Sequence, residues 1–334
     1  MPRGRLSVAV IQGGPSSEAE VSRASATAVA KALGEAGHSA VRFELDAFLA
    51  ESLRTGGFDV VFPVVHGAVG EDGSLQGLLE VLDHPYVGSG VVASALAMHK
   101  RFARVLFAEA GLPVARGVAL GRAEFAGDAA AAARRARECV GAAIVVKPSS
   151  HGSAIGVARL EASASEADVA SSIDAGWTID EFAVAEHFAR GREITCGVLD
   201  LQEARALPVT EIRAPGDAFF SFEARYAPGR SEHQCPADLA PAMAARVQDA
   251  AVRAHRTLGC RDLSRVDFVV GDDGAPDALT LLEVNTLPGM TATSLFPEAA
   301  AVSGMPMARL CDVLVMHAHT RGPAVRVDAR PLPR

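Results

Sequence analysis

Residues 278–285, Ala-Leu-Thr-Leu-Leu-Glu-Val-Asn, constrain this chain more than any other stretch. A largely apolar run reads as a buried strand, and it ends in a carboxylate and a carboxamide two positions apart before the turn Leu287-Pro288-Gly289. Side chains at i and i+2 of a strand share a face, so Glu283 and Asn285 present oxygen atoms side by side. Upstream, Val266-Asp267-Phe268-Val269-Val270 predicts a second strand that carries another inward acid. Three hard oxygen ligands suit Mg2+ better than zinc, because Mg2+ takes a few carboxylates and shares its other positions with waters and nucleotide phosphates. Taken alone, the stretch is also compatible with ordinary polar residues at a strand end.

Composition narrows the classes. A chain of 334 residues is long enough for two or three domains with large cores. A net charge of -8 and a pI near 5.7 leave no broad basic face, which argues against a nucleic-acid partner. A polyphosphate ligand needs only a few local cations, so it stays open. Cys139, Cys196, Cys235, Cys260 and Cys311 are odd in number and lack C-x-x-C spacing, which predicts reduced thiols in a cytoplasmic protein and no disulfide frame or zinc site. The apolar run 6–11 is cut by Gln12-Gly13-Gly14, too short for a signal peptide, and no stretch has membrane-spanning length, so no membrane partner is expected.

Along the chain, a strand over 6–11, a glycine turn and a helix ending near Gly37 form the first unit of a doubly wound sheet, with a ligand expected at the strand's carboxyl end. Ser17-x-x-Glu20 fits a capping box, so Glu20 has two open roles, helix capping or substrate binding. Strands over 40–45 and 59–65 continue the alternation. The latter runs into His66-Gly67 and the loop Gly70-Glu71-Asp72-Gly73, then a helix over 74–82; His66 either touches substrate or anchors the loop. A helix over 91–110 contains Met98-His99-Lys100, and the change in composition after Gly111-Leu112-Pro113 marks a domain junction. The strand 142–148 closes on Lys147-Pro148. A lysine there is costly to bury alone and should point at an anion. The small-residue loop 149–157 that follows suits phosphate binding through backbone amides, although it is not a P-loop. Strands over 183–188 and 192–199 precede a long irregular segment, 210–238, of the kind that forms lids. A packing helix over 241–258, a strand placing Arg265 and Asp267 on one face, a last helix over 307–319 and a loosely ordered tail complete the reading.

The ordered set Glu18-Ala19-Glu20-Val21-Ser22, His66-Gly67 with Gly70-Glu71-Asp72-Gly73, Tyr86-x-Gly88-Ser89-Gly90, Lys147-Pro148 with Gly152-Ser153, Glu223-Ala224-Arg225-Tyr226, Arg265-Val266-Asp267 and Glu283-Val284-Asn285-Thr286-x-Pro288-Gly289-Met290-Thr291 resembles the D-alanine–D-alanine ligase family over nearly the whole chain. The resemblance implies an ATP-grasp fold of the α/β and α+β class. Residues 1–99 would form an N-terminal open parallel-sheet domain with the first substrate site, 100–190 a central subdomain, 191–320 a C-terminal subdomain with a lid over about 211–238, and 321–334 a tail. It implies ATP-dependent joining of two D-alanines through a D-alanyl phosphate, for peptidoglycan precursor synthesis, in a cytoplasmic homodimer. It assigns Asp267, Glu283 and Asn285 to two Mg2+ ions, or Mn2+ in their place; Lys100, Lys147, Arg225 and Ser153 to the ATP phosphates; Glu186 to adenine; and Glu193 to ribose. Glu20 would pair with the ammonium of the first D-alanine beside His66. Arg265 and the Gly289 amide would form the oxyanion site, Ser294 would hold the second carboxylate, and Ser153 and Tyr226 would join Glu20 in closing the lid.

Departures from the family pattern are Arg225 where lysine is usual, Ala154 where a second serine is common, His99 in place of aspartate, and Phe220-Ser221-Phe222 in place of tyrosine-aspartate-tyrosine. None removes a metal ligand or the oxyanion arginine. They leave open a ligase of the same mechanism with another D-amino or D-hydroxy acid as acceptor, in secondary metabolism. A non-catalytic nucleotide-binding module is disfavoured, because Arg265, Asp267 and Glu283 are all present.

Overall fold

The computed structural model describes residues 4–213, 232–271 and 278–323, and their strands form three sheets. The first is parallel, in the order β2-β1-β3, from β1 (Ser7–Gln12), β2 (Ser39–Glu44) and β3 (Val60–Pro63), with α1 (Ala19–Glu35) and α2 (Leu49–Gly56) as crossovers. The central β1 and its neighbour β3 are apolar without alternation because both faces are covered, whereas β2, at the edge, carries Arg42 and Glu44 and is partly exposed. Ala9, Ile11 and Val61 pack on Leu49 and Leu53 of α2 and on Leu75 and Leu79 of α3 (Ser74–Val81). Val8, Val10, Val60 and Phe62 face the other way, onto Val29 and Leu33 of α1. The chain leaves β1 through Gly13 and Gly14 at φ 74° and 91°, backbone that side-chain-bearing residues rarely adopt.

The helix expected over 91–110 is two helices, α4 (Val91–Met98) and α5 (Lys100–Glu109), broken at His99, whose backbone is extended at φ -88° and ψ 93°. No glycine or proline marks the break. It lets the Lys100 N–H donate to Ser149 O at 2.8 Å instead of continuing the helical ladder. The second sheet is antiparallel, in the order β4-β7-β5-β6, from β4 (Gly117–Gly121), β5 (Ile144–Pro148), β6 (Ala158–Leu160) and β7 (Phe182–His187). It is backed by α6 (Ala129–Val140) and α7 (Glu166–Ile179) through Ala132, Ala136, Ile173 and Trp177. Both helices start at side-chain caps: Asp128 accepts from the Ala131 N–H at 2.9 Å, and Ser165 and Asp168 form a reciprocal capping box.

The third sheet runs β11-β10-β8-β12-β13, with β9 on the side of β8. Its strands are β8 (Arg192–Asp200), β9 (Ala204–Ala206), β10 (Thr210–Arg213), β11 (Glu232–Gln234), β12 (Asp262–Val270) and β13 (Leu279–Asn285), and α8 (Pro241–Leu258) packs across it. The segment expected to be wholly irregular over 210–238 thus begins and ends in paired strands, with Ile212 opposite His233. Arg192 and then Arg213 hold the Glu211 carboxyl down at about 2, anchoring β10 to β8.

After β13, α9 (Leu295–Val302) and α10 (Met307–Arg321) return to the first sheet, where Leu310, Leu314 and Val315 share a core with Val8 and Val10. Among the described residues no single helix is long and apolar enough to cross a membrane. One polar cluster locks this return. Asp262, fully buried at the start of β12, accepts from the Gly88 N–H at 2.7 Å and from Arg321 Nη2 at 3.0 Å. It ties the first sheet's last loop to both β12 and the final helix. Asp262→Ala should therefore lower the unfolding free energy by about 3 kcal/mol in urea titrations, with Asp262→Asn intermediate. A change below about 0.5 kcal/mol would show that the cluster does not couple these elements.

Candidate functional site

The centre of the site is the pairing of β12 with β13. In register, Arg265 faces Asn285 and Asp267 faces Glu283, so the i, i+2 pairs of both strands fall on one face. Arg265 clamps Asp267 with two bonds, Nε to Oδ1 at 2.9 Å and Nη2 to Oδ2 at 2.8 Å, and Thr195 on β8 donates to the same carboxylate at 2.7 Å. Asn285 Oδ1 accepts from the Leu287 N–H at 2.9 Å and shapes the turn that follows. Among the described residues no three His, Cys, Asp or Glu side chains are grouped to hold a metal by themselves. Two carboxylates and one amide oxygen on one face are nevertheless the donor set that Mg2+ accepts when a polyphosphate completes its shell. The residues fit the ion.

Two cavities meet at this face. Glu283 and Lys100, with Nζ 3.2 Å from Oε2, line both. The larger, of about 440 Å3, holds Glu18, His66, Ser153, Arg265, Gly289 and Ser294 on its walls. The smaller, of about 110 Å3, lies between the second and third sheets and is walled by Lys147, Glu186 and Glu193. Lys147 closes β5 as expected and is buried, but the anion it meets is Glu186 on β7, which Arg104 of α5 also contacts. Glu193 on β8 pairs with Arg159 at 3.1 Å. Lys100 also donates to His151 O at 2.7 Å, so one side chain ties the loop after β5 to Glu283. Ser153 and Ala154 in that loop take positive φ, 53° and 58°. Arg225 and Tyr226, and the Phe220-Ser221-Phe222 departure, lie outside the described residues.

The two acids of the Glu18-Ala19-Glu20 motif sit differently in the larger cavity. Glu20 reaches its rim, but its side chain is 86% exposed and engaged by Arg23. Glu18, only 7% exposed, accepts the Ser153 hydroxyl hydrogen bond and lies below Gly67, where a Cβ would come within 3.3 Å of its carboxylate. The buried carboxylate of the pair is therefore Glu18. The capping box is also absent: Glu18 itself occupies the N-cap position of α1 with no side-chain cap bond, and its N–H donates to Ser16 Oγ at 3.2 Å. Both acids belong to one motif, and only a contact with a loop 135 positions away separates them.

His66 is buried with both ring nitrogens engaged. Nδ1 donates to Leu287 O at 3.1 Å, and Nε2 lies 3.5 Å from Ser25 Oγ, which accepts from the Met290 N–H at 3.2 Å. His66 and Ser25 thereby hold the turn that carries Gly289. Burial pulls the imidazole's pKa down against the opposing pull of Glu18, so the ring is neutral near pH 7. In that turn, Ser294 Oγ accepts from the Thr291 N–H at 3.0 Å, and a Cβ at Gly289 would come within 2.8 Å of the same oxygen.

Glu71, given no role by the sequence, also lines this cavity and accepts from the Gly67 N–H at 2.6 Å. Burial first, and then the Glu18 carboxylate beside it, push its pKa up to about 8. The folded chain thus holds a proton at Glu71 that the unfolded chain releases near 4.5. The stability this provides is full below pH 4.5 and is lost as pH rises through 8. Glu71→Gln, which cannot ionise, should gain stability relative to the parent chain between pH 5 and pH 9 in urea unfolding. Parallel pH profiles for the two proteins would contradict the assignment.

The family described as D-ala D-ala ligase C-terminus matches residues 106–316, and that described as D-ala D-ala ligase N-terminus matches residues 47–89. The D-alanine–D-alanine ligase of Acidiphilium cryptum is 44% identical over 317 residues, 94% of this chain and 99% of that one. That of Syntrophobacter fumaroxidans is 40% identical over 322 residues, 94% and 98% of the two chains. Among solved structures, the Bacillus anthracis D-alanine–D-alanine ligase complexed with ATP superposes with a TM-score of 0.78 at 27% identity, covering 95% of this chain and 98% of that one. The Coxiella burnetii D-alanine–D-alanine ligase gives 0.77 at 27% identity, with 95% and 96% covered. The three-sheet architecture is the ATP-grasp fold of these enzymes, and the chain belongs to the D-alanine–D-alanine ligase family.

Proposed function

We propose that the chain joins two D-alanines to D-alanyl-D-alanine at the expense of ATP, for peptidoglycan precursor synthesis. The observation that carries this reading is the meeting of the two cavities at Lys100 and Glu283, which puts a cation-lined nucleotide cleft against a pocket built for a small amino acid. The nucleotide lies between the second and third sheets, with its phosphates on Lys100, Lys147 and the loop of Ser153, its adenine at Glu186 and its ribose at Glu193. Mg2+ held by Asp267, Glu283 and Asn285 would neutralise charge on the phosphates.

The first D-alanine sits in the larger cavity with its ammonium on Glu18, which takes the role first given to Glu20. Its carboxylate attacks the γ-phosphorus, releasing ADP and leaving an acyl phosphate. The amine of the second D-alanine, whose carboxylate rests at Ser294, then attacks the carbonyl carbon, and phosphate departs. Arg265 and the Gly289 N–H stabilise the oxyanion between these steps, and Asp267 keeps the guanidinium oriented through its paired bonds. The neutral ring of His66 holds the Gly289 turn in place. Burial of this chemistry limits hydrolysis of the acyl phosphate. The division at residues 99 and 190 is supported by the sheets, none of which crosses either point. A cytoplasmic homodimer belongs to the same proposal.

The purified protein should release phosphate from ATP only with both Mg2+ and D-alanine, forming the dipeptide. Glu18→Gln should reduce kcat/KM for D-alanine by about 100-fold, the loss of a charged hydrogen-bonded contact, while Glu20→Gln stays within about threefold. The reverse ranking would return the role to Glu20. Arg265→Ala or Glu283→Gln should abolish turnover in a chain that still unfolds cooperatively; near-normal turnover in either would refute the site.

A further inference from the structure

Glu186 is shared by two cations that reach it from different sides. Lys147 takes Oε2, and Arg104 brings Nε to 2.5 Å from Oε1. All three side chains are nearly buried, at 9%, 9% and 13% exposure for Glu186, Lys147 and Arg104. They differ in position. Lys147 and Glu186 line the nucleotide-side cavity, whereas Arg104 stands behind it on α5. Its guanidinium is pinned there by a bond from Nη2 to Ala115 O at 2.7 Å. The passage it uses exists because Glu186 faces a glycine across β4 and β7: a Cβ on Gly117 would come within 2.5 Å of Arg104 Nη2 and 2.6 Å of Ala185 O.

The resting contact is incomplete. Although Arg104 Nε is close to Oε1, its N–H makes no hydrogen bond and is buried, a state that costs free energy until an acceptor aligns with it. Under the reading proposed above, on which this inference rests, Lys147 turns to the phosphates when nucleotide binds. A buried carboxylate that loses its counter-ion is strongly unfavourable, so another cation must stay. Arg104 is placed to do so. One arm of its fork is fixed on Ala115 O and the other is free to complete its bond to Glu186, an arrangement that a lysine ammonium does not reproduce.

We infer that Arg104 is a positioning residue for nucleotide recognition, the counter-ion that holds Glu186 toward the adenine amino group once Lys147 has moved to the phosphates. Arg104 lines neither cavity, so its loss should act on nucleotide affinity and base selectivity and spare the chemical step.

Steady-state kinetics at saturating D-alanine, with ATP and with purine riboside triphosphate, which lacks the 6-amino group, test this in the parent protein and in Arg104→Met, Arg104→Lys and Glu186→Gln. Thermal unfolding checks that each is folded. The parent should prefer ATP by about tenfold or more in kcat/KM. Arg104→Met should raise KM for ATP by about tenfold, keep kcat within about threefold and lose the preference for ATP, with Arg104→Lys partly restoring both. Equal use of the two nucleotides by the parent would remove the reading of Glu186 itself. A parent that discriminates beside an Arg104→Met protein that discriminates equally, with unchanged KM, would overturn the role of Arg104 alone. Should Arg104→Met fail to fold, Arg104→Lys decides: a KM increase for ATP with no change for purine riboside triphosphate supports the inference, and parent-like values for both refute it.

Discussion

The site depends on one ion pair. Lys100 and Glu283 lie 3.2 Å apart at the only part of the wall that the two described cavities share, and Lys100 is held there from three directions. Its N–H reaches Ser149 O, its ammonium reaches His151 O and Glu283, and its helix begins at the break after His99. One residue thus joins α5, the loop after β5 and the end of β13. In the proposed reaction both partners find new counter-charges together, the lysine on phosphate and the glutamate on Mg2+, so separating the pair leaves neither charge uncompensated.

The same exchange of partners recurs through the site. Lys147 and Glu186 form a second pair that nucleotide would divide, and Arg104 is the cation that stays behind. The amino-acid side is built differently, from contacts between distant parts of the chain. His66 and Ser25 of the first sheet's layer hold Leu287 and Met290, and Ser153 from the loop after β5 meets Glu18 at the start of α1. The larger cavity is walled by segments that extend from all three sheets. The Asp262 cluster, which binds β12 to Gly88 and Arg321, fixes the frame in which these walls meet.

Much of this was legible in the residues, for identifiable reasons. The two-residue period of a strand pairs Glu283 with Asn285 and Arg265 with Asp267 whatever the rest of the fold does. The apolar first strands and their glycine turn specify a parallel sheet, and Lys147 at a strand end does meet an anion. Contacts set by register or by tertiary approach were not legible. The facing of Asp267 with Glu283 needs the strand alignment, and the choice between Glu18 and Glu20 needs the position of Ser153. The break at His99 has no local breaker and is selected by Ser149. Arg104 carried no sequence signal and Glu71 only its place in the Gly70-Glu71-Asp72-Gly73 motif, without a role, because the partners that give them meaning, Glu186 and Glu18, are 82 and 53 positions away by their numbers.

In the proposed reaction a carboxylate in the larger cavity attacks a phosphate held in the smaller one, across the Lys100 and Glu283 joint. D-alanine labelled with 18O in its carboxylate tests this directly when the phosphate released during dipeptide formation is analysed by mass spectrometry. Attack on the γ-phosphorus transfers one labelled oxygen to each phosphate, so phosphate should carry a single 18O in proportion to the dipeptide formed. Unlabelled phosphate released alongside labelled dipeptide would rule out attack of the carboxylate on the γ-phosphorus.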